Sequence, residues 1–339
     1  MQALVWTAPG RMEVQDMAAP RPGPGEALVR HEAAGICGSE IDGYLGRMSN
    51  RVPPLVMGHE FAGRVTAVGE GAPSSAIGRR VAVNPLVTCG RCVACIEGLR
   101  NVCLRRGLVG VDRAGGFADE VAVSAVALVV LPEECDPRLG ALAEPFANGV
   151  HAIRLGSAAR KPRTVLVLGA GTIGVLVMQA ARIAGIDLVA VSEPHAARRD
   201  QALRLGADAA YAGAADALAA ASGLPEGGFE LVVDAAGVEA SRRLAIETLR
   251  PAGVAVMVGL HADATAIPFH RVVRGQLTVH GSYAYTDDDF AQAARWLAEG
   301  QVRLGPLPAV RPLSEGPAIF AEAAKTPPAA VKLFLGPGA

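Results

Sequence analysis

The sequence predicts an α/β protein of two domains, with a β-rich first half and a doubly wound, six-stranded parallel sheet in the second half. Three observations lead there. A chain of 339 residues, 51% hydrophobic and 19% charged, is too long for one ordinary core. Its first half holds short apolar segments cut by Gly and Pro. From Thr164 onward, β-branched runs alternate with helix-like stretches.

Composition removes several functions before any motif is read. A formal net charge of −1 gives no electrostatic footprint for nucleic acid. Lysine occurs only at 161, 325 and 332 while arginine is plentiful, a coding bias and not a basic site. The opening MQALVWTAPGRMEVQD lacks the charged start and apolar run of a signal peptide. The most apolar stretch, VLVLGAGTIGVLVMQAA, is broken by glycines and is short for a bilayer. A soluble cytoplasmic protein acting on a small molecule, with no membrane or nucleic-acid partner, is expected.

In chain order, EALVRHEAAG, FAGRVTAVG, RRVAVNPLV and FADEVAV read as strands of a small barrel or sandwich. Among them CGRCVACIEGLRNVC places Cys89, Cys92, Cys95 and Cys103 within fifteen residues. Disulfides between such close neighbours would be strained, and cytoplasmic thiols stay reduced. Four thiolates around one structural Zn²⁺ suit the spacing, with Gly90 and Gly98 as turn-makers. An iron–sulfur cluster would use the same thiolates. A second, open metal site is suggested by Cys37 in GICGSE, His59-Glu60 in MGHEFAG and Glu144 in LAEPF. Catalytic zinc typically has three protein ligands and a free fourth position, and Cys37, His59 and one or both glutamates are the candidates for that set.

TVLVLGAG then runs into Gly169-Ala-Gly171-Thr-Ile-Gly174 and the helical VLVMQAARIAG, the order of a dinucleotide fingerprint. The second strand, DLVAVSE, ends at Glu193, where a carboxylate can accept from ribose hydroxyls. AAYA, ELVVDAAG, GVAVMVGL and LTVHGSY supply four further strands, with PHAARRDQALRLG and EASRRLAIETLR as helices between them. DDDFAQAARWLAEG and AVKLFLG read as a helix and a strand returning to the first domain. The expected boundaries are 1–147 and 284–339 for the first domain, with a zinc lobe at 85–105, and 148–283 for the second.

Taken together, Cys37-Gly38-Ser39, Gly58-His59-Glu60 with Gly63 and Gly69, the four-cysteine lobe, Glu144-Pro145, GAGTIG and Val258-Gly259-Leu260 resemble the zinc-dependent medium-chain alcohol dehydrogenase family, closest to its polyol (sorbitol-type) branch. The resemblance covers essentially the whole chain. It implies a GroES-like catalytic domain, a Rossmann coenzyme domain and two zinc ions, one catalytic and one structural. In that branch Cys37, His59 and Glu60 match the catalytic zinc ligands, and Glu144 matches a carboxylate that holds the metal-bound water or replaces it. Zinc lowers the pKa of the substrate hydroxyl, and hydride passes to the nicotinamide. Ser39 matches the first member of the proton relay, which hands the proton towards the cofactor ribose. Asp42 stands where a histidine usually follows, so either its carboxylate accepts the proton or the relay shortens to water. Gly169, Gly171, Ile173, Gly174, Glu193, Arg198, Val258, Gly259, Leu260, Ser282 and Tyr283 are the expected cofactor contacts, with NAD preferred. Ala284-Tyr285 stands where the branch has an Arg-Tyr pair and Gly43 where it often has an aromatic. These departures remove a polar contact and oppose strict sorbitol specificity, while Tyr44 and Tyr285 are still the expected substrate contacts.

These readings imply hydride transfer between NAD and a secondary alcohol, whether a polyol, a sugar or a cyclitol. Amino-alcohol oxidation of the threonine-dehydrogenase kind and NADPH-linked carbonyl reduction are near alternatives. A catalytically idle NAD(P)-binding module is the rival outside enzymology, and the intact Cys37, His59, Glu60 and Ser39 oppose it. A homodimer or homotetramer, joined through LTVHGSY as an edge strand, is the expected assembly.

Overall fold

The computed structural model describes residues 1–326, 328 and 330–337. The chain divides into two units. One comprises Met1–Glu144, Thr286–Gly300 and Pro306–Ala339, and the other Pro145–Tyr285 and Gln301–Gly305. Residues 145–147, 284–285 and the short Gln301–Gly305 segment, all expected in the first domain, fall in the second unit, where the Arg303 amide donates to Gln179 Oε1 at 2.9 Å.

In the first unit, the long strand Glu26–Gly35 is central to a seven-stranded sheet among the described residues. Glu60–Val68 pairs antiparallel along one side of it. Its other side is shared by Glu120–Ser124 and, at Ala34–Gly35, by Phe334–Gly336. The register sets Gly35 opposite Glu60. The end of one strand and the start of its neighbour therefore lie side by side, which brings Cys37 and His59-Glu60 to the same rim. Behind the sheet, Trp6, Phe61, Phe117 and Phe320 lie in a continuous apolar core. A second sheet of Arg11–Asp16, Gln2–Ala8 and Leu55–Val56 was not read from the sequence.

The second unit is the expected doubly wound sheet, with every pairing parallel. Its order is Ala209–Tyr211, Leu188–Ser192, Thr164–Leu168, Phe229–Asp234, Leu249–Met257, Thr278–Gly281. The order reverses after Thr164–Leu168, the place where such sheets bind a ligand at their carboxyl ends. Helix Thr172–Ile183 starts there, with Gly171 as its N-cap residue. A Cβ on Gly174 would stand 1.8 Å from the Gly169 carbonyl oxygen, so only glycine lets the helix sit so close to the turn. No described helix is long and apolar enough to cross a membrane.

Candidate metal centres and dinucleotide site

The four-cysteine lobe folds as a turn, the short helix Val93–Ile96 and a return to Cys103. Gly90 and Gly98 take the positive φ that its turns require, +69° and +80°. Sγ–Sγ separations are 3.5 Å for Cys92–Cys95, 3.8 Å for Cys92–Cys103 and 3.5 Å for Cys103–Cys89. Disulfide sulfurs would be about 2 Å apart. A zinc ion with bonds of about 2.3 Å holds its sulfurs roughly 3.8 Å apart, so the thiolate cage fits zinc. The Arg91 backbone amide, foremost among several donors, pulls the Cys89 thiol down to about 6, towards the thiolate that a metal needs.

A second cage lies at the rim of the strand pair. One ligand atom each from Cys37, His59 and Glu60 lies within 4.8 Å of the other two. Cys37 ends the turn after Glu26–Gly35 and is the N-cap residue of helix Gly38–Tyr44. Glu40, in the first turn of that helix, organises the whole site. Its Oε2 accepts from the Cys37 amide at 3.0 Å, and its Oε1 from the Gly58 and His59 amides at 2.9 and 3.1 Å. The same Oε1 lies 2.8 Å from His59 Nδ1, which turns Nε2 towards the cage. A carboxylate behind a metal-binding histidine fixes its tautomer and orientation.

Burial opposes charge on His59, but Glu40 and Cys37 outweigh it and raise the ring well above its ordinary pKa. Glu40 is held below the usual carboxylate range in spite of complete burial, chiefly by His59 and then by Arg51. Glu60 faces the buried Lys332, whose Nζ is 2.7 Å from Oε1 and 2.6 Å from Oε2, and 3.2 Å from the Ile36 carbonyl. The thiol, imidazole and carboxylate are a donor set suited to zinc with a position left open.

The other expected site residues fall unevenly. Ser39 is half-exposed, and its Oγ accepts from Arg51 Nη2 at 3.1 Å. Asp42 pairs with Arg47 at 3.5 Å. Glu144 is buried at the start of helix Ala143–Gly156 and is not one of the three gathered ligands. Tyr44, an expected substrate contact, is turned into the core. Its hydroxyl donates to the Gly10 carbonyl at 2.8 Å and its ring packs 5.7 Å from Phe320, because the apolar core claims the side chain. Tyr285 has no exposed surface at all. Glu40, Arg51 and Lys332 went unread in the sequence. Only Glu40 carried a local signal, as an acid three residues after a candidate ligand at a helix start.

In the dinucleotide unit, Glu193 is 3% exposed and reaches the glycine turn: Oε2 accepts from the Ala170 amide and Oε1 from the His195 amide, both at 2.9 Å. Each oxygen keeps a lone pair for a ribose hydroxyl. Arg199 donates to the Glu193 and Pro194 carbonyls, while Arg198 is half-buried. Ile173 lies in the first turn of the helix at Gly171. The Val258 and Gly259 amides both donate to the Asp234 carbonyl, tying the ends of adjacent strands together. Leu260 and Tyr283 are exposed. The buried Ser282 Oγ and Asp234 Oδ2 have no protein partner among the described residues. The glycine turn, the acidic residue and these orphaned oxygens fit a dinucleotide.

A parallel nucleotide sheet joined to a β-rich unit with one closed and one open metal cage defines a zinc-dependent dehydrogenase. Residues 23–133 match the family model of the alcohol dehydrogenase GroES-like domain, and residues 172–299 that of the zinc-binding dehydrogenases. An L-threonine 3-dehydrogenase of Pyrococcus horikoshii is 31% identical over 315 residues, 91% of this chain and 90% of that protein. An L-galactonate-5-dehydrogenase of Escherichia coli is 32% identical over 303 residues, 89% and 88% of the two chains. A zinc-binding dehydrogenase of Sinorhizobium meliloti, solved with NADP bound, superposes with a TM-score of 0.89 at 30% identity, covering 99% of each chain. The chain belongs to the zinc-dependent medium-chain alcohol dehydrogenase family.

Proposed function

We propose that the protein oxidises a secondary alcohol, of the polyol, sugar or cyclitol kind, and passes hydride to NAD with zinc held at Cys37, His59 and Glu60. The convergence of those three ligand atoms within 4.8 Å, braced by Glu40 behind His59, carries this reading. Bound zinc supplies the Lewis acidity that makes a hydroxyl acidic near neutrality, and bound NAD supplies the hydride acceptor. Glu40 holds His59 in one tautomer and orientation. Lys332 balances the charge of Glu60, and Glu144 is the candidate for the remaining carboxylate role. Ser39 takes the proton leaving the alcohol. Arg51 donates to its Oγ and so leaves the Ser39 hydroxyl hydrogen free to point elsewhere. Asp42 faces Arg47 at 3.5 Å in an exposed pairing, and its carboxylate and water are the two candidate acceptors for the proton leaving Ser39.

Glu193 supports NAD over NADP, because its buried carboxylate would repel a 2′-phosphate at contact distance. The NADP found in the Sinorhizobium relative is the opposing observation. A second reading, oxidation of an amino alcohol, draws on the threonine dehydrogenase relative. One experiment separates them: zinc-loaded protein is assayed with NAD against a panel of polyols, sugars and hydroxy amino acids. Turnover of at least one polyol or sugar, abolished by Cys37→Ala, is expected. Turnover of threonine alone would replace the first reading with the second.

A further inference from the structure

Arg51 lies between helix Gly38–Tyr44 and strand Leu55–Val56, and it is 5% exposed. An arginine is rarely buried so fully unless it is paired. Here Nη2 donates to Ser39 Oγ at 3.1 Å, Nη1 meets only the weakly accepting Met57 Sδ at 3.3 Å, and the buried Nε has no partner. No carboxylate among the described residues forms an ion pair with it. Glu40, the acid whose titration it influences, is already committed to three backbone amides and the His59 ring. A desolvated charge left in this state is costly.

The chain makes room for that charge. A Cβ at Gly43 would stand 2.8 Å from Arg51 Cδ and 2.9 Å from Nη1, so any side chain there would displace the guanidinium. Nε and Nη2 form one edge of the guanidinium fork, the geometry that takes two oxygens of a carboxylate or phosphate. One end of that edge touches Ser39, which is half-exposed and two residues from the metal-ligand candidate Cys37. An oxyanion at this edge would therefore lie beside the Ser39 hydroxyl, two residues along the chain from Cys37.

We propose that Arg51 anchors an oxyanion of the substrate, so that the alcohol oxidised carries a carboxylate or phosphate a few carbons from the reacting carbinol. This rests on the dehydrogenase reading above and narrows its substrate class from neutral polyols to hydroxy acids or polyol phosphates.

The test uses zinc-loaded full-length enzyme with NAD and three matched sets: six-carbon polyols, the aldonates of the same configuration, and the polyol phosphates. One anionic set should exceed its neutral counterpart in kcat/KM by about 100-fold, as for a charge-assisted two-point contact. Which set does so identifies carboxylate or phosphate. Arg51→Met should collapse that ratio, chiefly through KM, and Arg51→Lys should recover part of it. Zinc content and circular dichroism check that both variants fold. Binding is read separately, as thermal stabilisation of the NADH complex by aldonate or polyol phosphate. Neutral polyols oxidised as well as their anionic counterparts would overturn the anchor and leave the dehydrogenase reading intact. Stabilisation by no anion, or by an anion equally in wild type and Arg51→Met, would overturn it whatever the turnover.

Discussion

Glu40 stays charged although it has no exposed surface, because three amides and the His59 ring converge on its two oxygens. Its substitution by glutamine keeps the shape and removes the charge that orients the ring. Glu40→Gln should weaken zinc at the Cys37–His59 cage about 10- to 100-fold, measured by competition with a chelating dye. Unchanged affinity would remove Glu40 from the site. His31 presents the opposite case. It is wholly buried between the Ala118 and Leu335 carbonyls, at 3.1 Å from each, and burial pushes its pKa down to about 4. The two carbonyls favour the charged ring, since a neutral imidazole donates to only one of them, but burial outweighs them. The unfolded chain takes a proton below about 6.5 that the folded one refuses, so stability decreases as pH falls from there towards about 4. His31→Gln should flatten this part of the stability–pH curve. An unchanged slope in urea titrations between those pH values would refute the assignment. The candidate ligands Cys37, His59 and Glu60 were legible as residue types in glycine-flanked motifs. Arg51 and Lys332 were not, because their meaning lies in contacts across the fold. Lys332 meets Glu60 across 272 residues of sequence.

At the scale of elements, the coenzyme strands were legible because each is a run of buried β-branched residues, such as Thr164–Leu168 and Phe229–Asp234. The N-terminal sheet escaped notice because its third strand, Leu55–Val56, is only two residues long and pairs with a segment some fifty residues earlier. The cysteine lobe was legible because its ligands are local. It contributes little apolar burial, with Val93, Ile96 and Leu104 exposed at 60%, 76% and 77%, so a metal on its four thiols is expected to hold it. Two zinc ions per chain are expected from the two ligand groups. Structural zinc contributes on the order of 10 kcal/mol or more. A chelator should therefore strip the Cys37–His59 cage first, removing activity while circular dichroism is unchanged. Cys95→Ser should open the lobe to proteolysis between residues 89 and 103. Metal analysis finding one zinc in fully active protein would contradict both expectations.

The molecule as a whole poses two further questions, which nucleotide it prefers and how copies assemble. With Glu193 buried at the glycine turn, kcat/KM should favour NAD over NADP, and Glu193→Ser should erode the preference by removing the repulsion of a 2′-phosphate. A wild-type preference for NADP would show that Arg198 or Arg199 governs the choice instead. Thr278–Gly281 ends the sheet order, with Val279 43% exposed on it and Phe269 and Val273 of the preceding helix 65% and 66% exposed. An open edge with apolar neighbours suits pairing with a second copy across a two-fold axis. Sedimentation at micromolar concentration should show a dimer or a pair of dimers, and a lone monomer would exclude this contact.

The ion pair between Glu60 and Lys332, beside the strand Phe334–Gly336, also bears on the order of events expected during synthesis. The four thiolates from 89 to 103 leave the ribosome together and can capture their metal while the rest of the chain is still being made. The rim that holds Cys37, His59 and Glu60 acquires its counter-charge and its last flanking strand only when nearly all of the chain has been translated. Metal loading at the Cys37–His59 cage is then expected late, and at the lobe early. Nascent chains stalled before residue 330 should carry one zinc ion held in the lobe, with the second arriving only after release.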